Sequence, residues 1–90
     1  MRVSGHVRKT HSQDGGVVLD VQHGRMFRLN FVGSRIVELI EQDVTPQQIA
    51  AEIAREFGIS ADVAERDTRE FLNMLAKHQL IEMRSADLML

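Results

Sequence analysis

Gly16-Val17-Val18-Leu19-Asp20-Val21-Gln22, then His23-Gly24, then Arg25-Met26-Phe27-Arg28-Leu29-Asn30, is the stretch whose reading decides the fold. Val17, Leu19 and Val21 alternate with Val18, Asp20 and Gln22. That is strand spacing, with one face more apolar than the other. Gly24 supplies the positive φ that a tight hairpin turn needs. Phe27 and Leu29 then alternate with Met26, Arg28 and Asn30, so residues 16–22 and 25–30 are predicted to form a hairpin. Upstream, Val3 and Val7 lie in a first strand predicted over residues 3–11, with Asp14-Gly15-Gly16 as the turn into the second.

Beyond residue 30 the apolar spacing becomes helical. Asn30 suits a first helix cap, and Val32, Ile36, Leu39 and Ile40 form its stripe. Thr45-Pro46-Gln47-Gln48 is the clearest local signal: a threonine cap, a proline at the first helical position and a capping box closed by Gln48. Ile49, Ile53, Ala54 and Phe57 share a face of this second helix, and Gly58 ends it. Ser60 caps a third helix predicted to reach about Gln79, with Ala64, Thr68, Phe71, Leu72 and Leu75 along its stripe. The fold class is therefore α+β: a three-stranded antiparallel sheet followed by three helices. The strands are expected over about residues 3–30, the helices over about 31–80 and a short tail over 81–90, all in a single domain. The tail Ser85-Ala86-Asp87-Leu88-Met89-Leu90 ends on three apolar residues that want a partner.

With 90 residues, a chain of this size buries roughly 64% of its unfolded surface, enough for one thin core. The net charge of −2 argues against nucleic acid as the main partner. No cysteine is present, so disulfides and thiolate chemistry are absent, which fits a reducing cytoplasm. No apolar run approaches the ~18 residues of a membrane span, and no signal-peptide pattern opens the chain. His6, His11, His23 and His78 show no metal-site spacing, the serines lack a nucleophile elbow, and no glycine-rich phosphate loop occurs. No catalytic residue, metal or cofactor is expected.

Three blocks carry a family resemblance. They are Asp14-Gly15-Gly16-Val17-Val18-Leu19-Asp20, then Gly24-Arg25-Met26-Phe27-Arg28-Leu29-Asn30, then Val32-Gly33-Ser34-Arg35-Ile36. Thr45-Pro46-Gln47-Gln48-Ile49, Asp67, Phe71, Leu72, Leu75, Leu80 and Ile81 follow in order. Over about residues 12–82 the chain resembles the PqqD-like family, recognition elements for ribosomally made peptides. It departs at Met26 and Val37, where that family often has aromatics, and at Gln79, where it often has glycine. The resemblance implies a winged-helix-like fold, a three-stranded antiparallel sheet followed by a three-helix bundle, and a peptide chaperone: a domain without its own chemistry that binds the leader of a precursor peptide as an extra strand on its third strand, beside its third helix. The partner it implies is a modifying enzyme such as a radical SAM protein or a leader protease.

The residues agree with that role. Three strands and one helical layer leave an edge strand with unpaired N–H and C=O groups. If residues 25–30 receive the peptide, the backbone of Arg25, Met26, Phe27, Arg28 and Leu29 gives affinity, and neighbouring side chains give specificity. Asp67, Phe71, Met74 and His78 lie along one line of the third helix, and Glu70 joins them in the expected peptide-binding set. Phe71 and Met74 would floor the groove, Asp67 would hold a basic leader residue, and Arg25 and Arg28 would hold acidic ones. Two other readings compete. A winged-helix DNA-binding protein needs outward basic residues, whereas the second helix mixes Gln47, Gln48 and Arg55 with Glu52 and Glu56. A homodimer would bury the same strand edge against its twin.

Overall fold

A computed structural model describes residues 1–83; the apolar tail Ser85–Leu90 lies outside the described residues. In chain order the elements are β1 (Arg2–Val3), β2 (Val7–Ser12), β3 (Gly15–Asp20), β4 (Arg25–Leu29), α1 (Phe31–Glu41), α2 (Pro46–Phe57), α3 (Ala61–Lys77) and β5 (Ile81–Glu82). β2, β3 and β4 form an antiparallel sheet in that order, and β1 pairs with β5. Three strands followed by three helices match the expected α+β architecture.

Local chemistry fixes the boundaries. The Asn30 side chain accepts from Gly33 N at 2.8 Å, and Ser60 Oγ accepts from Val63 N at 3.2 Å. The Thr45–Gln48 capping box is complete, with Pro46 in the first turn. Gly58 closes α2 in the left-handed conformation, φ 64°. Gly15 has φ 135°, and a Cβ there would lie 2.1 Å from the Leu29 carbonyl oxygen. Only glycine lets the start of β3 pass so close to the end of β4.

The core gathers Val18 and Leu29 from the sheet, Ile36 and Ile40 from α1, Ile49 and Ile53 from α2, and Leu72 and Leu75 from α3. Truncating such a residue to alanine costs ~2–5 kcal/mol.

Three details differ from the sequence reading, and a fourth answers what it left open. The first strand is broken at Ser4-Gly5-His6, because Ser4 N donates to Leu80 O at 2.9 Å and ties β1 to the end of α3 instead of to the main sheet. Residues 81 and 82, expected in the tail, form β5 against β1, with Arg2 Nε 2.6 Å from Glu82 Oε2. α3 ends at Lys77 with His78 as its C-cap, slightly before Gln79. Finally, the more apolar face of β3 is the outer one. Val18 and Asp20 point inward at 2% and 0% exposure, while Leu19 and Val21 are 39% and 51% exposed. Asp20 is held inside because it ties off the hairpin: its Oδ1 accepts from Gln22 N and His23 N at 3.1 and 3.0 Å.

Candidate functional site

β4 bonds to β3 along one side, and among the described residues no strand pairs with its other side. α3 runs beside that free edge in the opposite direction. Arg25, the first residue of β4, meets His78 at the end of α3. Asn30, just past β4, shares a cavity with Asp67 in the N-terminal half of α3.

That cavity has a volume of about 560 Å³. Its floor comes from Gly33 and Ile36 of α1, Ile53 and Phe57 of α2 and Val63 of α3, while Glu70, Phe71 and Met74 form its α3 wall with Asp67. Gly33 makes the wall possible, since a Cβ there would lie 3.1 Å from the Phe71 ring. Phe71 and Met74 are half-buried, and Asp67 and Glu70 are exposed at the rim. Thr68 also lines the cavity; it is buried, and its hydroxyl finds no partner among the described residues.

The other end of the groove is built on Asp20. Arg25 Nη2 donates to Asp20 Oδ2 at 2.9 Å and to the His78 carbonyl at 3.0 Å. Arg25 Nη1 sits 3.2 Å from His78 Nδ1, and its guanidinium lies 5.6 Å from the Phe27 ring centroid. Phe27 and His78 face each other with centroids 5.1 Å apart. Burial pushes the Asp20 carboxyl up, but hydrogen bonds from Arg25 and from the His23 backbone and ring outweigh it and hold the group well below the usual carboxylate range.

The expected site residues therefore fall into four groups. Asp67, Glu70, Phe71 and Met74 line one cavity, and Arg25, Phe27 and His78 close one end of the groove. Met26 and Arg28 project from the opposite face of the sheet, and Leu29 is buried in the core. Arg25 is already engaged by Asp20, which leaves Arg28 as the exposed cation of the strand. The sequence reading missed Gly33, Phe57, Ile59 and Val63 as lining residues. Ile59 carried a signal, being an apolar residue stranded between a helix-ending glycine and the next cap.

Folding also brings together His6, Asp20 and His23, whose ligand atoms lie within 4.8 Å of one another. Asp20 Oδ1 lies 3.7 Å from His6 Nε2, and Oδ2 is held by the Arg25 guanidinium at 2.9 Å. The basic residues of the N-terminal strands are largely engaged: Arg2 by Glu82, Lys9 by Glu41, and Arg8 by the carbonyls of Gly5 and Val7. On the helices Arg35 makes a two-pronged pair with Glu56, 3.0 Å on each prong, and Arg55 pairs with Glu52. These pairs offset the outward positive charge of α1 and α2.

The model of the coenzyme PQQ synthesis protein D (PqqD) family matches residues 15–81. The solved structure of TbiB1 in complex with the TbiA(beta) leader peptide is 38% identical to this chain. It has a TM-score of 0.86 and covers 94% of this chain and 99% of its own. A lasso peptide synthetase B1 complexed with the leader peptide shares the fold, with TM-score 0.77, 23% identity and coverage of 86% of this chain and 91% of its own. No curated protein matches.

Proposed function

The chain belongs to the PqqD family, and from that premise we propose that it captures the leader of a ribosomally made precursor peptide by strand addition and presents it to a modifying enzyme. One observation carries the reading: the free edge of β4 runs antiparallel beside an apolar cavity on α3. An added strand saturates the β4 amides and carbonyls, and its alternate side chains drop toward α3. The cavity, with Phe71 and Met74 in its wall, takes an apolar leader residue, and Met74 adapts to its shape. Asp67 and Glu70 at the rim take a basic one. TbiB1, captured with a leader peptide, supports the same role here.

In this reading the domain works in the cytoplasm and supplies binding, orientation and no bond-making step. The chemistry belongs to the partner, a radical SAM protein or a leader protease. The test is a titration of fluorescent precursor leader against the purified protein. Saturable binding by the leader, and none by the core segment alone, is expected. Tight, sequence-selective binding of duplex DNA at about 150 mM salt, where phosphate contacts are already weakened, would instead favour a winged-helix DNA-binding protein.

A further inference from the structure

We infer that His6, Asp20 and His23 form a binding site for a divalent transition ion of the zinc class, which ties the turn between β1 and β2 to the β3–β4 hairpin. The site goes beyond leader capture and stands or falls separately from it. The ligand atoms of the three side chains lie within 4.8 Å of one another. His6 Nε2 is 3.7 Å from Asp20 Oδ1, and His23 Nδ1 is 2.8 Å from Asp20 Oδ2. Around a tetrahedral zinc with bonds of about 2.0–2.2 Å, neighbouring ligand atoms stand ~3.4 Å apart, so small side-chain shifts suffice. Linear spacing hides this cluster, because His6 joins it only through the fold.

His6 decides the assignment. Its Nε2 is buried, yet it makes no hydrogen bond among the described residues. The Asp20 oxygen at 3.7 Å is too far away for one. A buried ring nitrogen without a partner calls for a physical cause, and a bound ion is one. The backbone already holds the residue in place. The His6 carbonyl accepts from Val21 N at 3.1 Å, which fixes His6 beside the hairpin and leaves its ring to meet the carboxylate. The His6 and His23 rings stand nearly perpendicular, with centroids 6.1 Å apart.

The donor set selects the ion. Two imidazoles and one carboxylate suit zinc, cobalt or nickel, whereas magnesium and calcium take oxygen ligands. Asp20 is fully buried, and its bonds from the Gln22 and His23 amides and from Arg25 orient it as the outer partners of a metal ligand do. His23 Nδ1, now the donor to Oδ2, becomes a ligand by carrying its proton on Nε2 instead. The Arg25 guanidinium opposes binding. It shares the same carboxylate and repels a cation, so affinity falls below that of a four-ligand structural site. The bound ion would join His6 to His23 and so stabilise the folded chain by mass action.

The test is a calorimetric titration of the tag-free, chelator-treated protein with Zn²⁺, followed in parallel by the histidine imidazole resonances. Saturable binding of a single ion per chain is expected, with a melting temperature that rises with free Zn²⁺. The His6 and His23 resonances should move, and those of His11 should stay. His6→Ala has no hydrogen bond to lose at Nε2 and should keep the fold. It should weaken Zn²⁺ by at least the ~10–100-fold that loss of an outer partner costs. His23→Ala should weaken binding in the same way, and His11→Ala should bind as wild type. Should either ligand variant fail to fold, the resonance shifts of the wild-type protein carry the test. Absence of saturable Zn²⁺ binding overturns the site, as does unchanged affinity in folded His6→Ala, unmoved His6 and His23 resonances, or equal competition by Mg²⁺. None of these outcomes touches the leader-binding reading.

Discussion

Arg25 Nη2 donates to the His78 carbonyl at 3.0 Å, which joins the first residue of the free edge strand to the C-cap of α3. The same nitrogen holds the fully buried Asp20 carboxylate at 2.9 Å. One guanidinium thus sets the width of the groove and offsets a buried charge. Arg25→Met should lower the melting temperature by more than about 5 °C, on the scale expected for a domain of this size, and weaken leader binding. Arg25→Lys should restore little of either, because a single ammonium cannot reproduce the guanidinium fork. Full recovery by lysine would show that charge alone matters.

Asp20 gives the fold a defined acid sensitivity. Its carboxyl is held well below the ordinary range in the folded state, despite burial, by Arg25 and His23. The folded state therefore gains stability wherever the unfolded carboxyl is ionised, above about pH 4. That gain is lost as pH falls below this value. Asp20→Asn should be less stable than wild type at neutral pH but should lose less on acidification. Glu56 and Glu82, also held low by their arginine partners, leave a residual slope in both proteins. Urea unfolding between pH 7 and pH 2 makes the comparison; parallel curves would remove Asp20 from the account.

Phe71 and Met74 are expected to divide the groove between stability and binding. Both are half-buried in the α3 wall of the cavity. Phe71 packs over Gly33, so Phe71→Ala should cost stability, though less than the ~3–5 kcal/mol of a fully buried phenylalanine. Met74→Ala should leave the melting temperature nearly intact yet weaken the leader by ~1–2 kcal/mol, or about 5–30-fold in dissociation constant. Melting and affinity on the same protein decide it: a strongly lowered melting temperature makes Met74 core, and unchanged affinity removes it from the groove.

Gln79 stands in the left-handed conformation, φ 61°, just after α3. A side chain there carries a steric cost that glycine avoids. Gln79→Gly should stabilise the fold by about 0.5–1 kcal/mol, raising the melting temperature by about 2–8 °C. A lowered melting temperature would mean that the left-handed backbone costs glutamine nothing here.

The element order, the caps at Asn30, Thr45 and Ser60 and the hairpin at Gly24 were legible because each rests on contacts within a few residues. The α3 line through Asp67, Phe71 and Met74 followed from helical spacing alone. What escaped depends on contacts between distant segments. Asp20 reads as a polar strand residue until Arg25 is seen beside it, so the alternation of β3 did not reveal which face is buried. The β1–β5 pair joins residues about eighty positions apart. The Arg25–His78 contact spans the chain from β4 to the end of α3, and no local pattern announces it.

Hydrogen exchange at the β4 backbone tests the central claim most directly. Within a strand, successive N–H groups point to opposite sides, so β3 holds one set and the free edge presents the other. Binding of the precursor leader should therefore slow exchange at alternate amides within Arg25–Leu29, with smaller effects along Asp67–Met74. Unchanged exchange at all the β4 amides, while another surface becomes protected, would contradict strand addition at this edge.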